Sequence, residues 1–281
     1  MLIMLIRKII GALRRRIQRL RKRHEKLVAV QVPVLYSELL KGRKALITGG
    51  SCGIGLAIAE AFVRAGADVV ITGRNSGQLD KAIARLKNVN AAACVSTLIL
   101  DICDTESFPD KLKIVEPFDV LVNNAGYVGG GVFGTTTREA YDKTLETNLR
   151  GAYFMSQCVS GQWIANGVKG NILNVCSASS LRPGESAYIL SKWGLRALTI
   201  GMARKLIKHG IVVNGIAPGC TDTAKFALDG NICNSRNPSG RMVTTVEIAN
   251  MSVVLVSSLC RMVVGDVLYM TGGAAITTLD D

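Results

Sequence analysis

Short apolar runs alternate with longer segments of helical spacing throughout residues 42–281. Apolar runs bounded by glycine or polar residues predict buried strands, and apolar positions three and four apart predict amphipathic helices. The predicted strands are the run ending at Thr48 and residues 69–72, 97–100, 119–122, 172–175, 211–216 and 267–270. The predicted helices are the one following the glycines after Thr48 and residues 78–86, 138–164 and 187–208. This alternation predicts an α/β fold with a doubly wound, mostly parallel sheet.

Closely spaced glycines separate the first strand from the first helix. They let the chain turn sharply, approach a ligand closely and pack the new helix against the strand. The N–H groups at the helix N-terminus then favour an anion such as a pyrophosphate. The candidate cofactor-binding residues of this turn are Gly49, Ser51, Gly53, Ile54 and Gly55.

Two other motifs have glycines at similar spacing. Residues 49–53 also fit the G-x-S-x-G elbow of hydrolases, which needs a later histidine and several preceding strands. The only later histidine is His209, at a predicted helix end, and only residues 28–35 could supply an earlier strand, so a hydrolase is disfavoured. A P-loop is excluded because Leu56 and Ala57 stand where lysine and serine or threonine are required.

Composition indicates one large α/β domain. The chain has 281 residues, of which 48% are hydrophobic and 20% charged, enough for one large core. Its eight cysteines form no C-x-x-C pair and mostly lie in apolar segments. They are interpreted as reduced core residues of a cytoplasmic protein, with neither a metal site nor a disulfide framework.

The positive charge is concentrated in residues 1–27. Ten lysines and arginines against one acid place +9 of the net +13 in this segment, which argues against nucleic-acid binding by the main domain. An apolar stripe through Ile6, Leu13, Leu20 and Leu27 predicts a basic amphipathic helix. It could lie on an anionic membrane surface, pack on a partner subunit or be solvated, and an organellar presequence is a more distant alternative. The apolar start of this segment is too short for a secretory signal or a membrane span, and arginines follow it where further apolar residues would be needed. Residues 28–41 are predicted to connect this helix to a domain at 42–281.

Polar residues that could perform chemistry follow the predicted strands, which places them at the carboxyl edge of the sheet, where ligands bind in such folds. An NAD site would have an acid at the end of the second strand to bind the ribose 2′-hydroxyl. That place holds Gly73 and Arg74, and Asp68 is at the other end of the strand. A guanidinium suits a 2′-phosphate, so NADP is favoured over NAD. The alternative is that Arg74 is only a solvated loop charge.

Tyr188 is the only one of the six tyrosines with a lysine four residues on. Tyr188 and Lys192 fall on one face of the predicted helix after the fifth strand. A phenol is a poor proton donor or acceptor at neutral pH unless a nearby cation stabilises its phenolate, and Lys192 could supply that cation.

Together these motifs resemble the short-chain dehydrogenase/reductase family over roughly residues 42–275. The matching elements, in the family's order, are Thr48-Gly49-x-x-x-Gly53-x-Gly55, Asp101, Asn123-Asn124-Ala125-Gly126, Asn148, Ser177, Tyr188-x-x-x-Lys192 and Asn214-x-x-x-Pro218-Gly219. The resemblance implies a Rossmann-like sheet of about seven strands and hydride transfer between a nicotinamide and a carbonyl or alcohol. A small-molecule substrate and a homo-oligomer are expected with it.

The resemblance also implies roles for individual residues. Tyr188 would be the general acid/base, Lys192 would assist it and hold the ribose, Ser177 would orient the carbonyl oxygen, and Asn148 would hold a proton-relay water. The remaining cofactor-binding candidates are Asp101 and Asn124 on the adenine side, Thr223 near the nicotinamide and phosphates, and Ala125, Gly126, Pro218 and Gly219.

Two departures from the family pattern limit these expectations. The interval from Ser177 to Tyr188 is a residue or two short, so Ser179 could take the serine's role. The lid region between Thr223 and Val246 is brief and does not identify a substrate. The alternative function is a membrane-attached, non-catalytic protein that senses a dinucleotide, although it would not need the proton-transfer residues.

Overall fold

The computed structural model describes residues 35–115, 117–129, 131–223, 231–234 and 237–274. The predicted basic helix of residues 1–27 lies outside these ranges and stays a prediction. Within the predicted connector, Leu40 is fully buried, and its N–H donates to the carbonyl of Ala65 at 2.9 Å. The chain just before the first strand is therefore fixed to the domain.

Seven strands form one parallel sheet in the order β3-β2-β1-β4-β5-β6-β7. Their ranges are β1 Lys44–Thr48, β2 Asp68–Gly73, β3 Val95–Ile99, β4 Val120–Asn123, β5 Asn171–Val175, β6 Val212–Pro218 and β7 Val267–Met270. The order reverses between β1 and β4, which creates a crevice at the carboxyl edge. The predicted doubly wound sheet is confirmed.

Helices connect successive strands. Their ranges are α1 Gly53–Arg64, α2 Ser76–Val89, α3 Phe108–Lys113, α4 Arg138–Leu145, α5 Gly151–Ala165, α6 Ala187–Leu206 and α7 Thr245–Val256. The prediction missed α3 and α7, although Thr244 and Glu247 form a capping box that marks the start of α7. The single helix predicted for residues 138–164 contains a π-helical segment, Glu146–Arg150, between α4 and α5.

Two hydrophobic layers cover the two faces of the sheet. Alternate residues of one strand point to opposite faces, so Ile47 packs in one layer and Leu46 in the other. The first layer includes Phe62 of α1, and the second includes Phe108 and Met155. Burial on both faces explains the continuous apolar runs that identified the strands.

Charged and amide side chains fasten the amino edge of the sheet. The Arg43 guanidinium donates through Nε to the carboxylate of Asp119, through Nη2 to Asn171 Oδ1 at 2.9 Å, and through Nη1 to the Val256 carbonyl at 3.4 Å. Asp119 Oδ1 also accepts from the backbone N–H of Lys44 at 3.0 Å. One arginine thus connects the starts of β1, β4 and β5 to the end of α7.

Among the described residues, no helix is both long and apolar enough to cross a membrane. The same residues contain no group of three or more His, Cys, Asp or Glu side chains that could hold a metal ion.

Candidate active site

The turn after β1 depends on glycine at three positions. Gly49 and Gly53 have φ angles of +64° and +55°, in the left-handed region that favours glycine. Gly55 lies so close to β1 that a Cβ atom would collide with the Gly49 carbonyl oxygen and Asn124 Nδ2. The predicted glycine turn is therefore present, with the helix packed tightly on the strand.

Asn124 and Thr48 join this turn to the end of β4. Asn124 Nδ2 donates to the carbonyls of Thr48 and Gly49 at 2.9 and 3.0 Å. Thr48 Oγ1 accepts from the backbone N–H groups of Asn124 and Ala125, both at 3.0 Å. The side-chain amide of Asn124 is thus used to hold the turn, in addition to any contact that Asn124 makes on the adenine side.

Helix α1 begins at Gly53, within the turn. The first intrahelical hydrogen bond runs from the Leu56 N–H to the Cys52 carbonyl, so the N–H groups of Gly53, Ile54 and Gly55 precede the helical ladder. Cys52 and Gly53 are exposed. Exposed helix N–H groups of this kind bind phosphate oxygens.

Residues of two other segments lie close to the glycine turn. A Cβ atom on Gly53 would project toward Thr223, whose Cγ2 would be 3.7 Å away, and would narrow the gap between the two elements. Ser51 Oγ is 3.6 Å from the position that a Gly73 Cβ would take, which places Ser51 beside the end of β2. Arg74 follows directly and is exposed. The chain after β6 and the end of β2 therefore both lie close to the glycine turn.

Asp68 lies at the amino end of β2, where its carboxylate accepts the Cys94 N–H at 2.9 Å. The end of β2 at the crevice thus carries Gly73 and Arg74 in place of a carboxylate. Asp101, after β3, is partly buried and accepts the Cys103 N–H through Oδ1 at 2.9 Å.

Tyr188 and Lys192 lie at the start of α6. Lys192 Nζ is 5.9 Å from the centroid of the Tyr188 ring and donates to the Val175 carbonyl at 2.8 Å. The side chain of Lys192 is buried, whereas Tyr188 is partly exposed. The start of α6 thus brings a buried ammonium close to a partly exposed phenol ring.

Ser177 follows the end of β5 by two residues. Its Oγ accepts the Ser179 N–H at 3.1 Å and so caps the 3₁₀ turn Ala178–Leu181. The fully buried Ser180 donates to the Ser177 carbonyl at 2.7 Å and pairs with the Tyr269 hydroxyl at 3.1 Å. The strand end that accepts from Lys192 therefore also carries a firmly held Ser177.

The neighbouring thiol of Cys176 is a core group. Burial raises its pKa, and the charge of Lys192 only partly opposes this effect. Its Sγ lies 3.9 Å from Thr199 Oγ1. A raised pKa makes a thiol less available as the nucleophilic thiolate, and Cys176 packs within a hydrophobic cluster.

Asn148 occupies the π-helical segment and bridges two elements. Its Oδ1 accepts the Tyr127 N–H at 2.6 Å, and its Nδ2 donates to the Tyr127 carbonyl at 2.9 Å and to Ser191 Oγ at 3.0 Å. Gly126 adjoins it, since a Gly126 Cβ would lie 3.5 Å from Asn148 Oδ1. π-Helical turns are rare and frequent at functional sites. The Asn148 amide thus joins the loop after β4 to α6.

The last motif positions the end of β6. The Gly219 N–H donates to the Met270 carbonyl of β7 at 2.9 Å, directly after Pro218. Asn214 is farther back in β6 and holds the Val263 carbonyl and the Asp266 N–H. In this motif Asn214 connects β6 to the segment before β7, and Gly219 hydrogen-bonds to the end of β7.

The sequence analysis did not single out two residues of this network. Ser191 is adjacent to Lys192 but has no distinguishing spacing. Tyr127 takes part through its backbone N–H and carbonyl, so its residue type gives no signal.

Comparison with known proteins identifies the family. A family model described as short chain dehydrogenase matches residues 43–229. The chain belongs to the short-chain dehydrogenase/reductase family. Gluconate 5-dehydrogenase of Gluconobacter oxydans (strain 621H) is 35% identical over 257 residues, covering 87% of this chain and 98% of the relative. Human L-xylulose reductase is 33% identical over 242 residues, and the match covers 83% of this chain and 97% of that relative.

Solved structures of the family share the fold. A gluconate 5-dehydrogenase from Burkholderia cenocepacia J2315, solved in complex with NADP and tartrate, has a TM-score of 0.78 at 28% identity. The match covers 86% of this chain and 99% of that structure. As a member of this dehydrogenase/reductase family, the chain is an oxidoreductase of the kind that acts on CH–OH and C=O groups.

Proposed function

We propose that this chain is an NADP-dependent oxidoreductase that transfers a hydride between the nicotinamide and a carbonyl or alcohol, with Tyr188 as general acid/base. The observation that carries the proposal is the Lys192 ammonium, buried between the Tyr188 ring and the end of β5. This pair lies at the same edge of the sheet as the exposed glycine turn. We propose that the proton-transfer and phosphate-binding groups face one crevice at this edge.

The chain's own residues then have defined tasks in carbonyl reduction. When bound, the nicotinamide would supply the hydride. Ser177 donates a hydrogen bond to the substrate oxygen, Tyr188 gives that oxygen its proton, and Lys192 stabilises the phenolate that remains. Ser177 is preferred to Ser179 because Ser180 and the 3₁₀ turn hold Ser177 at the strand end.

NADP is the proposed cofactor because Arg74 is exposed at the end of β2, where no carboxylate is found. A guanidinium there can pair with a 2′-phosphate. The Burkholderia cenocepacia structure in complex with NADP supports the same choice.

The names of the relatives favour polyhydroxylated substrates. Gluconate 5-dehydrogenase, sorbitol dehydrogenase and L-xylulose reductase are named for sugar acids, alditols or ketoses. We therefore propose a small polyhydroxylated carbonyl compound or its alcohol as the substrate. The test is an NADPH-oxidation screen in which ketoses and ketoaldonates are compared with acyl, steroid and simple ketones. Turnover with none of them, combined with tight NADPH binding, would favour the non-catalytic sensor.

We also propose a homo-oligomer. Helices α5 and α6 expose large apolar side chains, among them Tyr153, Phe154, Trp193 and Ile200, each between 39% and 47% exposed. Apolar surface of this kind is typical of subunit contacts. Light scattering that gives the mass of a single chain would contradict this proposal.

A further inference from the structure

Ser191 makes two hydrogen bonds inside the protein that connect the candidate acid/base to another element. Its hydroxyl donates to the carbonyl of Tyr188 at 2.6 Å, and its oxygen accepts from Asn148 Nδ2 at 3.0 Å. The side chain of Ser191 is fully buried, and that of Asn148 is 1% exposed. No water can therefore readily replace either partner.

Many buried helix serines only donate to a carbonyl one turn back. Ser252 in α7 is an example, since its hydroxyl donates to the Ile248 carbonyl at 2.8 Å and its side chain is fully buried. Ser191 differs because it also receives a hydrogen bond from a side chain of another helix. Ser252 is thus a matched control for a serine that stabilises only its own helix.

The Asn148 amide has no spare hydrogen. One N–H of Nδ2 goes to the Tyr127 carbonyl and the other to Ser191. Removing the Ser191 hydroxyl would leave a buried N–H without an acceptor, which costs more than the lost hydrogen bond itself. The Asn148 amide would then shift, together with its contact to Tyr127.

The network of hydrogen bonds extends from Tyr127 to the glycine turn. Tyr127 follows the segment Asn124–Gly126, and Asn124 holds the carbonyls of Thr48 and Gly49. A continuous path of backbone and hydrogen bonds therefore runs from the cofactor-binding turn through Asn148 and Ser191 to Tyr188.

We propose that Ser191 is a positioning residue, which fixes Tyr188 relative to the loop after β4 through Asn148. The proposal rests on the proposed function of Tyr188. It assigns Ser191 no contact with substrate or cofactor, so its removal should affect turnover more than cofactor binding.

The test compares Ser191→Ala with Ser252→Ala in the full chain. We expect kcat of Ser191→Ala to fall about tenfold, the equivalent of about 1.4 kcal/mol and near the upper end for one hydrogen bond, with the Kd for NADPH within about twofold. Ser252→Ala should keep the wild-type kcat. Equal kcat for both variants would overturn the proposal.

A second measurement does not depend on turnover. Hydrogen exchange of the Tyr127 amide, which donates to Asn148 Oδ1, should accelerate about tenfold in Ser191→Ala and stay unchanged in Ser252→Ala. Adding Ser191→Ala to Asn148→Ala should accelerate it no further, because the shared partner is already gone. Unchanged exchange in Ser191→Ala, or additive effects, would overturn the proposal. If the wild type bound NADPH but reduced nothing, the proposed function would fail while the exchange data still decided whether Ser191 positions Asn148.

Discussion

The two edges of the sheet use their polar residues in opposite ways. At the amino edge, Arg43 and Asp119 direct their charges at each other and at nearby backbone groups. At the carboxyl edge, the N–H groups of Gly53, Ile54 and Gly55 precede the hydrogen-bond ladder of α1, and Tyr188 is partly exposed. Polar groups at the amino edge thus hold strands together, whereas the carboxyl edge also carries exposed or partly exposed groups that we propose bind a ligand. Variants at the two edges should therefore change different properties.

The largest effect is expected for Tyr188→Phe at the carboxyl edge. The ring and its packing remain, but the transferable proton is lost, so kcat should fall by about 10²- to 10⁴-fold. The Kd for NADPH should stay close to that of the wild type. Tyr141→Phe, which changes a tyrosine 42% exposed on α4, is the control and should retain full activity. Near-normal turnover by Tyr188→Phe would show that the acid/base assignment is wrong.

Next in size is Arg43→Ala at the amino edge. Its guanidinium is 22% exposed and has acceptors on three elements, so its loss should lower the free energy of unfolding by roughly 2–3 kcal/mol. Activity below the melting temperature should not change.

Arg85→Ala removes a more exposed ion pair, with Glu60, and is the control in chemical denaturation, with an expected loss of about 0.2–1 kcal/mol. If the Arg43→Ala variant kept its stability but lost activity, the amino edge would not have the purely structural role that the comparison assigns to it.

A smaller effect is expected for Arg74→Ala, which should weaken NADPH binding about ten- to a hundredfold, or roughly 1.5–3 kcal/mol, while NADH binding stays constant. The reason is that only NADPH has the 2′-phosphate. Titration of Lys81→Ala, which removes an exposed charge from α2, controls for general electrostatic attraction. An unchanged preference in Arg74→Ala would remove Arg74 from the site.

The smallest effect concerns the Arg241–Glu247 pair at the start of α7. Hydrogen bonds from Arg241 and from the Thr244 backbone lower the pKa of Glu247 to about 2. A lowered pKa stabilises the fold above the unfolded-state value near 4.3, and this contribution disappears as the pH falls from there toward 2.

Both side chains of this pair are 40% or more exposed, so solvent screens most of the contribution. Melting curves between pH 7 and pH 2 should show a slightly smaller loss of stability for Glu247→Gln than for the wild type. Identical slopes would show that the pair contributes nothing.

Much of the carboxyl edge could be predicted from the sequence because its residues either are required by the backbone conformation or lie close together along the chain. Glycines mark the turn, and four residues separate Tyr188 from Lys192 on one helix face. The amino-edge network could not be predicted, since Arg43 and Asp119 are 76 residues apart and meet only through the pairing of β1 with β4. The same applies to Ser191 and Asn148, which are 43 residues apart.

The missed helices have more local causes. The capping box at Thr244 and Glu247 could be recognised in the sequence. Helix α7 was nevertheless missed, because its first residues were assigned to the predicted lid region. The π-helical segment could not be predicted from the sequence. Over so few residues, its apolar periodicity is nearly the same as that of an α-helix.

That π-helical segment makes this part of the chain intolerant to changes of length. It accommodates one residue more per turn than an α-helix, and each residue of an α-helix advances about 100° around the axis. Deleting a single residue within Glu146–Arg150 would let the segment relax to regular α-helix and rotate α4 relative to α5 by about that angle. Either Asn148 would turn away from Ser191 or the apolar side of α5 would turn away from the sheet. Among relatives that retain this bridge, substitutions should accumulate in the segment, and insertions and deletions should not.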